Sequence, residues 1–518
     1  MARVNKPLSI ETPIDLMLAN KVVVKNHILL VRDKVKGKYV PLFYDGKRYV
    51  EDLESARIRE FIKAEILMAM DQQYFKQRDY SKLNFFNSLT RQVLQNIKDL
   101  PGIKKEEDDF DIDPYQINTQ NGIYNIQEDR LYQHSPDKYF RCIANARYME
   151  GLTEEDYSDI FLDTVSNALY DKNENAQGNK EVIISFLQII SSFLIGNNDE
   201  KIIPIIVGPT NSGKSTILNT LKFILGTYAD SFNTNSFIKS PRTDSDIRPD
   251  FIRMRLLRMA IAEETGKQKT FDNENLKKIA GNTDIAVRNP HSSNIVSFKF
   301  KGKLLLATNK FPSFTDIDDT AFLKRLVIID FKNTVEDRGI DMELGNKLQS
   351  EVMRDKIFTQ LLKIAHGYLR NKPELNKLAL YIHSRFEANK TRILISQNTS
   401  VAQFWREHIV PLNSYFPDGN HLKHPVKMLY SVAYLAFCEK NDISPLSLEE
   451  FGKQFRKISD SFPGVNEHKG SKWNYYTGIF VNPVDPNNYN FHLIKYQTPF
   501  DFDNIRIEEK SENVKKAK

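Results

Sequence analysis

The chain has 518 residues, 41% hydrophobic and 27% charged, with 21 Gly and 21 Pro; this ordinary globular usage excludes a disordered or fibrous chain, and at roughly 100–200 residues per domain it excludes a single module. Its 73 basic and 67 acidic residues leave a formal charge of +6, a mild bias that suits a polyanionic partner without requiring one. Cys142 and Cys438 lie far apart, which excludes a disulfide framework and zinc-finger spacing.

The start, MARVNKPLSIETPIDLML, has no charged segment followed by an unbroken apolar core, so secretion is not expected and the default compartment is the cytoplasm. Residues 21–52 alternate apolar and polar side chains around Gly37 and Asp45-Gly46, the pattern of short antiparallel strands. ARIREFIKAEILMAM and the stretch from Lys82 to Leu100 carry helical spacing, the second closed by Pro101-Gly102. KKEEDDFDIDP then reads as a solvated acidic run. Val182 to Ile195 is interrupted by Ser185, Gln188, Ser191 and Ser192. It falls short of the roughly 18 apolar residues of a membrane span and predicts a buried helix, with no membrane partner.

In the middle third the runs IIPIIVG, RMAIAEE, KLLLATN and LVIIDF alternate with helical stretches, predicting an α/β domain with a mostly parallel sheet. Residues 346–425 read as mainly helical. Residues 426–482 read as two or three short helices followed by a strand pair around SKWNYYTGIFV. The expected division is 1–105 as an α+β N-terminal region, 106–175 as a second module, 176–345 as the α/β core, 346–425 as a helical linker, 426–485 as a C-terminal domain, and 486–518 as a tail whose last ten residues are charged.

The sharpest feature is KIIPIIVGPTNSGKSTILNTLKFIL, where Gly208, Pro209, Thr210, Asn211, Ser212, Gly213, Lys214, Ser215 and Thr216 satisfy GxxxxGK[ST] between an apolar strand and a helix. Such a loop turns backbone N–H groups around phosphates while the helix N-terminus adds partial positive charge. Lys214 would reach the outer phosphates of ATP, and Ser215 would offer a hydroxyl to Mg²⁺. About 50 residues on, LLRMAIAEE ends in Glu263 and Glu264, candidates for the metal ligand and the general base. Asn309, ending KLLLATN, could position the hydrolytic water, or it could simply initiate a turn. Lys324 and Arg325 precede another buried strand, as a surface pair or as a guanidinium for a neighbouring subunit's phosphates.

In order and spacing these elements resemble the superfamily-three helicases, specifically the helicase portion of phage and plasmid primase-helicases related to the poxvirus uncoating-type ATPase. More narrowly they resemble replication initiators of staphylococcal pathogenicity islands and cassette elements. Asn118, Asn121-Gly122, His134, Pro136 and Tyr148 match the helicase-associated N-terminal module of that family, over 106–175. LYSVAYLAFCEKNDISPLSLEEFGKQFRKI and YYTGIFV are similar to its C-terminal winged helix. The resemblance implies an AAA+-like P-loop core that forms a homo-hexamer, binds ATP between subunits with Arg325 as an arginine finger, and moves 3′ to 5′ on single-stranded DNA. GNTDIAVRNPHSSNIVSFKF matches the family's channel hairpin, with Arg288 and His291 as the expected phosphate contacts in place of the usual tip lysine. Lys453, Arg456 and Lys457 on one helix, with Lys469, Lys472 and Trp473 in the following wing, are candidates for origin duplex DNA or for an ordinary solvated face.

Asp111 and Asp113 imitate the paired carboxylates of nucleotidyl transfer. Pro114 follows them directly and no strand precedes them, so primase chemistry is not expected. The alternative to a helicase is an origin-binding protein whose ATPase serves ring assembly.

Overall fold

The computed structural model describes residues 13–34, 37–69, 80–157, 159–172, 174–238, 249–263, 270–281, 283–288, 295–316, 319–334, 341–370, 399–411, 424–462, 464–470 and 474–481. Leu18, Ala19, Val22 and Val23 share one buried face of helix Ile14–Asn26, which packs on helices Ala56–Ala69 and Tyr80–Asp99. Residues 21–26, expected to start a strand, are therefore helical. Spacings of three and four residues give Val22 and Val23 a helical stripe to bury, and that stripe overrides their β-branched preference. The rest of the expected meander is present as Leu29–Asp33, Lys38–Tyr44 and Tyr49–Glu51, paired antiparallel.

The acidic run is not merely solvated. Lys104–Glu106 adds a parallel strand to Leu29–Asp33, and buried Glu107 meets Arg255 of the central domain at 2.5 Å. Desolvation raises the Glu107 pKa, with Arg255 opposing it.

Gln116–Thr119, Gly122–Asn125 and Arg130–Tyr132 form a three-stranded antiparallel sheet. Its family-pattern residues tie loops together. Asn118 Nδ2 donates to the carbonyls of Lys47 and Cys142 at 3.0 and 3.2 Å, and Asn121 exchanges two 2.9 Å bonds with the Tyr148 backbone. His134 Nε2 lies 2.9 Å from the Thr119 carbonyl.

The central sheet contains β1 (Ile203–Val207), β2 (Ala229–Asn233), β3 (Met259–Glu263), β4 (Lys303–Thr308) and β5 (Leu326–Asp330), all parallel, in the order β5-β1-β4-β3-β2. Its strands read as near-continuous apolar runs because both faces are covered. One face packs Ile206, Ile261 and Leu305 against Ile217 and Leu221 of helix Lys214–Leu225, and the same cluster takes in Ile117, Tyr124 and Ala144 from the preceding module. Helices Ala176–Ser192 and Glu351–Arg370 join it. The other face packs against helix Asn273–Ala280 and the strands Asp284–Arg288 and Ile295–Lys299.

The C-terminal unit has its own cluster, in which fully buried Trp405 stacks on Phe462 with ring centroids 5.3 Å apart. Helix Ser400–His408 supplies Trp405, and Ile409–Pro411 pairs with Ile479–Val481. Residues 399–411, read from sequence as linker, thus pack with 424–481. Among the described residues no helix is long and apolar enough to cross a membrane.

Candidate nucleotide site

Every residue of β1 is buried, so the loop that follows emerges from a rigid strand. A Cβ on Gly208 would lie 2.4 Å from the Phe331 carbonyl oxygen, which only glycine tolerates. The Gly208 N–H donates to the Thr308 carbonyl at 3.2 Å. Asn211 at φ 63° and Gly213 at φ 85° are left-handed and curl the loop into the helix that opens at Lys214. Pro209 and Thr210 form its exposed rim, and Thr216 is half-buried in the first helical turn.

Lys214 Nζ donates to the carbonyls of Gly208 and Pro209 at 2.7 and 2.6 Å and to Ser212 Oγ at 3.1 Å. The ammonium is thus folded into the loop. Burial lowers its pKa, and the Glu263 charge opposes the shift. Ser215 Oγ donates to Glu263 Oε2 at 2.8 Å, joining the start of the helix to the end of β3. A hydroxyl and a carboxylate at an open rim are hard oxygen donors of the type Mg²⁺ takes alongside phosphate and water. Glu264 lies outside the described residues.

Thr308 pairs with Val207 across β4 and β1, so exposed Asn309, the next residue, stands beside the loop. Sequence reasoning passed over Thr308 itself. It is fully buried and its hydroxyl has no partner among the described residues; the available signal was one polar residue ending an apolar strand.

Arg325 is at the other end of the sheet. Its carbonyl accepts from Ile203 N–H, at the start of β1, at 2.7 Å. Five residues at about 3.3 Å each put it roughly 16 Å from the loop end of that strand. Its guanidinium donates to the Lys277 carbonyl at 2.9 Å, in the last turns of helix Asn273–Ala280. Lys324 is exposed.

The strands Asp284–Arg288 and Ile295–Lys299 form an antiparallel hairpin with Arg288 opposite Ile295. Ile285, Val287, Val296 and Phe298 anchor it in the core, and His291 lies outside the described residues. On helix Leu448–Ser459, Lys453 pairs with Glu449 at 2.8 Å. Arg456 holds both carboxylate oxygens of Glu467, which keeps Glu467 below the usual carboxylate range. Lys457 is half-buried, Lys469 is exposed, and Lys472 and Trp473 lie outside the described residues.

Asp111 and Asp113 do not share a site. Asp111 is half-buried, with its Oδ1 out of solvent, and accepts from the backbone of Arg141 at 3.0 Å, whereas Asp113 accepts from Tyr115 N–H at 2.9 Å.

Three segments match known protein families: residues 26–190 one described as D5 N terminal like, 206–325 a family of unknown function (DUF5906), and 396–483 one described as poxvirus D5 protein-like. Primase D5 of fowlpox virus (strain NVSL) is 26% identical over 295 residues, covering 54% of this chain and 36% of the relative. A putative helicase, L207/L206, of Acanthamoeba polyphaga mimivirus is 24% identical over 240 residues, covering 44% of this chain and 24% of the relative. The chain therefore matches about a third and a quarter of these relatives' lengths. Among solved structures, the apo NrS-1 C-terminal region aligns over 90% of this chain and 99% of its own, at 11% identity and a TM-score of 0.40.

Proposed function

We propose that the chain is an ATP- and Mg²⁺-dependent replicative DNA helicase. In this reading it is a homo-hexameric, AAA+-like ring that moves 3′ to 5′ on single-stranded DNA and initiates replication of a mobile element. The observation that carries the reading is the 2.8 Å contact between Ser215 and Glu263 at the rim of a loop already closed around Lys214. D5-like segments on both sides of this core, and a mimivirus relative named a putative helicase, support it.

Lys214 exchanges its loop carbonyls for the outer phosphate oxygens, and the helix N-terminus adds its dipole. Ser215 and Glu263 would hold Mg²⁺, which when bound neutralises phosphate charge. Glu264 takes the proton of the attacking water, and Asn309 orients that water. Arg325 immediately precedes β5, at the end of the sheet remote from its own loop, so its guanidinium serves the phosphates of a neighbouring copy. That distance makes the site incomplete in one chain and favours a ring. Arg288 on the hairpin, with His291 as the second expected contact, grips the DNA backbone without reading bases. Helix Leu448–Ser459 and the antiparallel strands His424–Pro425, Tyr475–Thr477 and Asn466–His468 act as a winged helix. Two of the three cations on its helix already hold carboxylates, which weighs against recognition of origin duplex by that face.

ATP hydrolysis with and without single-stranded DNA, together with unwinding of 3′-tailed and 5′-tailed forks, tests the proposal. DNA-stimulated turnover with unwinding only from the 3′ tail is expected. Turnover without stimulation or strand separation would leave an assembly ATPase.

A further inference from the structure

Between the N-terminal region and the far end of helix Lys214–Leu225 lies an open cleft of about 610 Å³. Its walls carry groups that the fold does not use. Phe223 is half-buried yet joins none of the hydrophobic clusters among the described residues. Asn145, Asn219 and Gln349 line the cleft, and their side-chain amides make no hydrogen bond to the described residues. Arg48 reaches in from the Asp45–Arg48 turn, its guanidinium held loosely, by long bonds to the Arg141 carbonyl and Thr227 Oγ1 at 3.4 and 3.3 Å and by an ion pair to Asp45 at 4.0 Å. Lys222 stands on the helical wall, bonded to Ser231 Oγ at 2.8 Å.

An aromatic face, amides that both donate and accept, and cations on two walls are the groups that hold a nucleotide by stacking, base edge and phosphate. We propose that this cleft is a second contact for single-stranded DNA, separate from the hairpin. The inference rests on the DNA-helicase reading. A strand fits better than a free triphosphate. The helix ends here, so its C-terminal dipole opposes a concentrated anion, while a diester carries one charge per nucleotide. The cleft is also open along a side where Asn219 and Thr227 are exposed, as a continuous chain requires. Because its floor is the far end of the phosphate-loop helix, DNA seated here would lie one rigid helix away from the nucleotide.

The full chain is photocrosslinked to an oligothymidylate carrying 4-thiothymidine, and the adducts are mapped by proteolysis. Adducts are expected both at the hairpin and within residues 219–227. Phe223→Ala and Asn219→Glu should each weaken oligonucleotide binding about tenfold. Asn219 is exposed on its helix, so its variant keeps the test sound if Phe223→Ala misfolds; melting followed by circular dichroism checks both. Adducts at the hairpin alone, with unchanged binding by Asn219→Glu, would overturn the cleft and leave the helicase reading standing. No DNA binding anywhere would remove both. Labelling of the 219–227 peptide by an azido-ATP probe, with no DNA adduct there, would assign the cleft to a free nucleotide and overturn the strand.

Discussion

Lys214 is held by loop carbonyls rather than by core side chains, so its proposed contribution lies in phosphate chemistry more than in packing. Lys214→Ala should lower ATP hydrolysis about 10²–10³-fold, the cost of losing one positioned donor to developing charge, while circular dichroism reports an unchanged fold. Normal turnover would sink the phosphate-loop assignment. Arg325→Ala separates the two roles its position permits. Titrated into wild type, it should inhibit more steeply than dilution if the guanidinium completes a neighbour's site; a linear response would leave it as a helix-end ligand of Lys277. Asp111 gives a pH signature. Burial pushes its carboxyl up from 3.8 to about 6, against the Arg141 N–H and the Arg258 charge. Below 3.8 both folded and unfolded chains hold the proton, and between 3.8 and about 6 mainly the folded chain does. Stability therefore falls as pH rises through that window, by at most about 3 kcal/mol, and stays lower above it. Asp111→Asn should flatten this slope in urea denaturation from about pH 4 to 7; an unchanged slope would place its origin elsewhere.

At the scale of elements, the motif spacing in sequence gave a strand, a loop and a helix, and the structure brings Ser215 and Glu263 together at 2.8 Å. It could not show why Gly208 is needed, because the obstacle is the Phe331 carbonyl, more than 120 residues away in sequence. Gly208→Ala should destabilise the chain by about 1–3 kcal/mol, read as a lower urea midpoint; an unshifted midpoint would mean the loop yields freely. The hairpin was expected from the family resemblance, and Ile285, Val287, Val296 and Phe298 anchor it in the core. Arg288→Ala should keep basal hydrolysis and lose most of its stimulation by DNA; retained stimulation would put the grip elsewhere. Helix Ile14–Asn26 shows the opposite case. KVVVK fits either period locally, and burial against two later helices decides it.

For the whole molecule, one hydrophobic cluster runs from the 116–148 module through β1, β3 and β4 to helix Glu351–Arg370, while residues 399–481 have another. The N-terminal region, from Leu18 to Phe110, has a further cluster of its own, so calorimetry should resolve more than one transition. The three-stranded module should melt with the α/β core, and the C-terminal unit by itself. A separate transition for the module would contradict the shared core. The sequence alone determined what rests on local order: the parallel apolar runs, and the strand, loop and helix that carry Gly208, Gly213, Lys214 and Ser215. These follow from spacing along a strand–loop–helix, where neighbours in sequence are neighbours in space. Only the tertiary structure decided that Glu107 is a buried partner of Arg255, that Arg325 stands at the far end of the sheet from its own loop, that Arg456 is held by Glu467, and that unused amides and Phe223 line one cleft. Each of these depends on contacts between distant segments, whose register is fixed by packing of the core and leaves no periodicity in the chain to read.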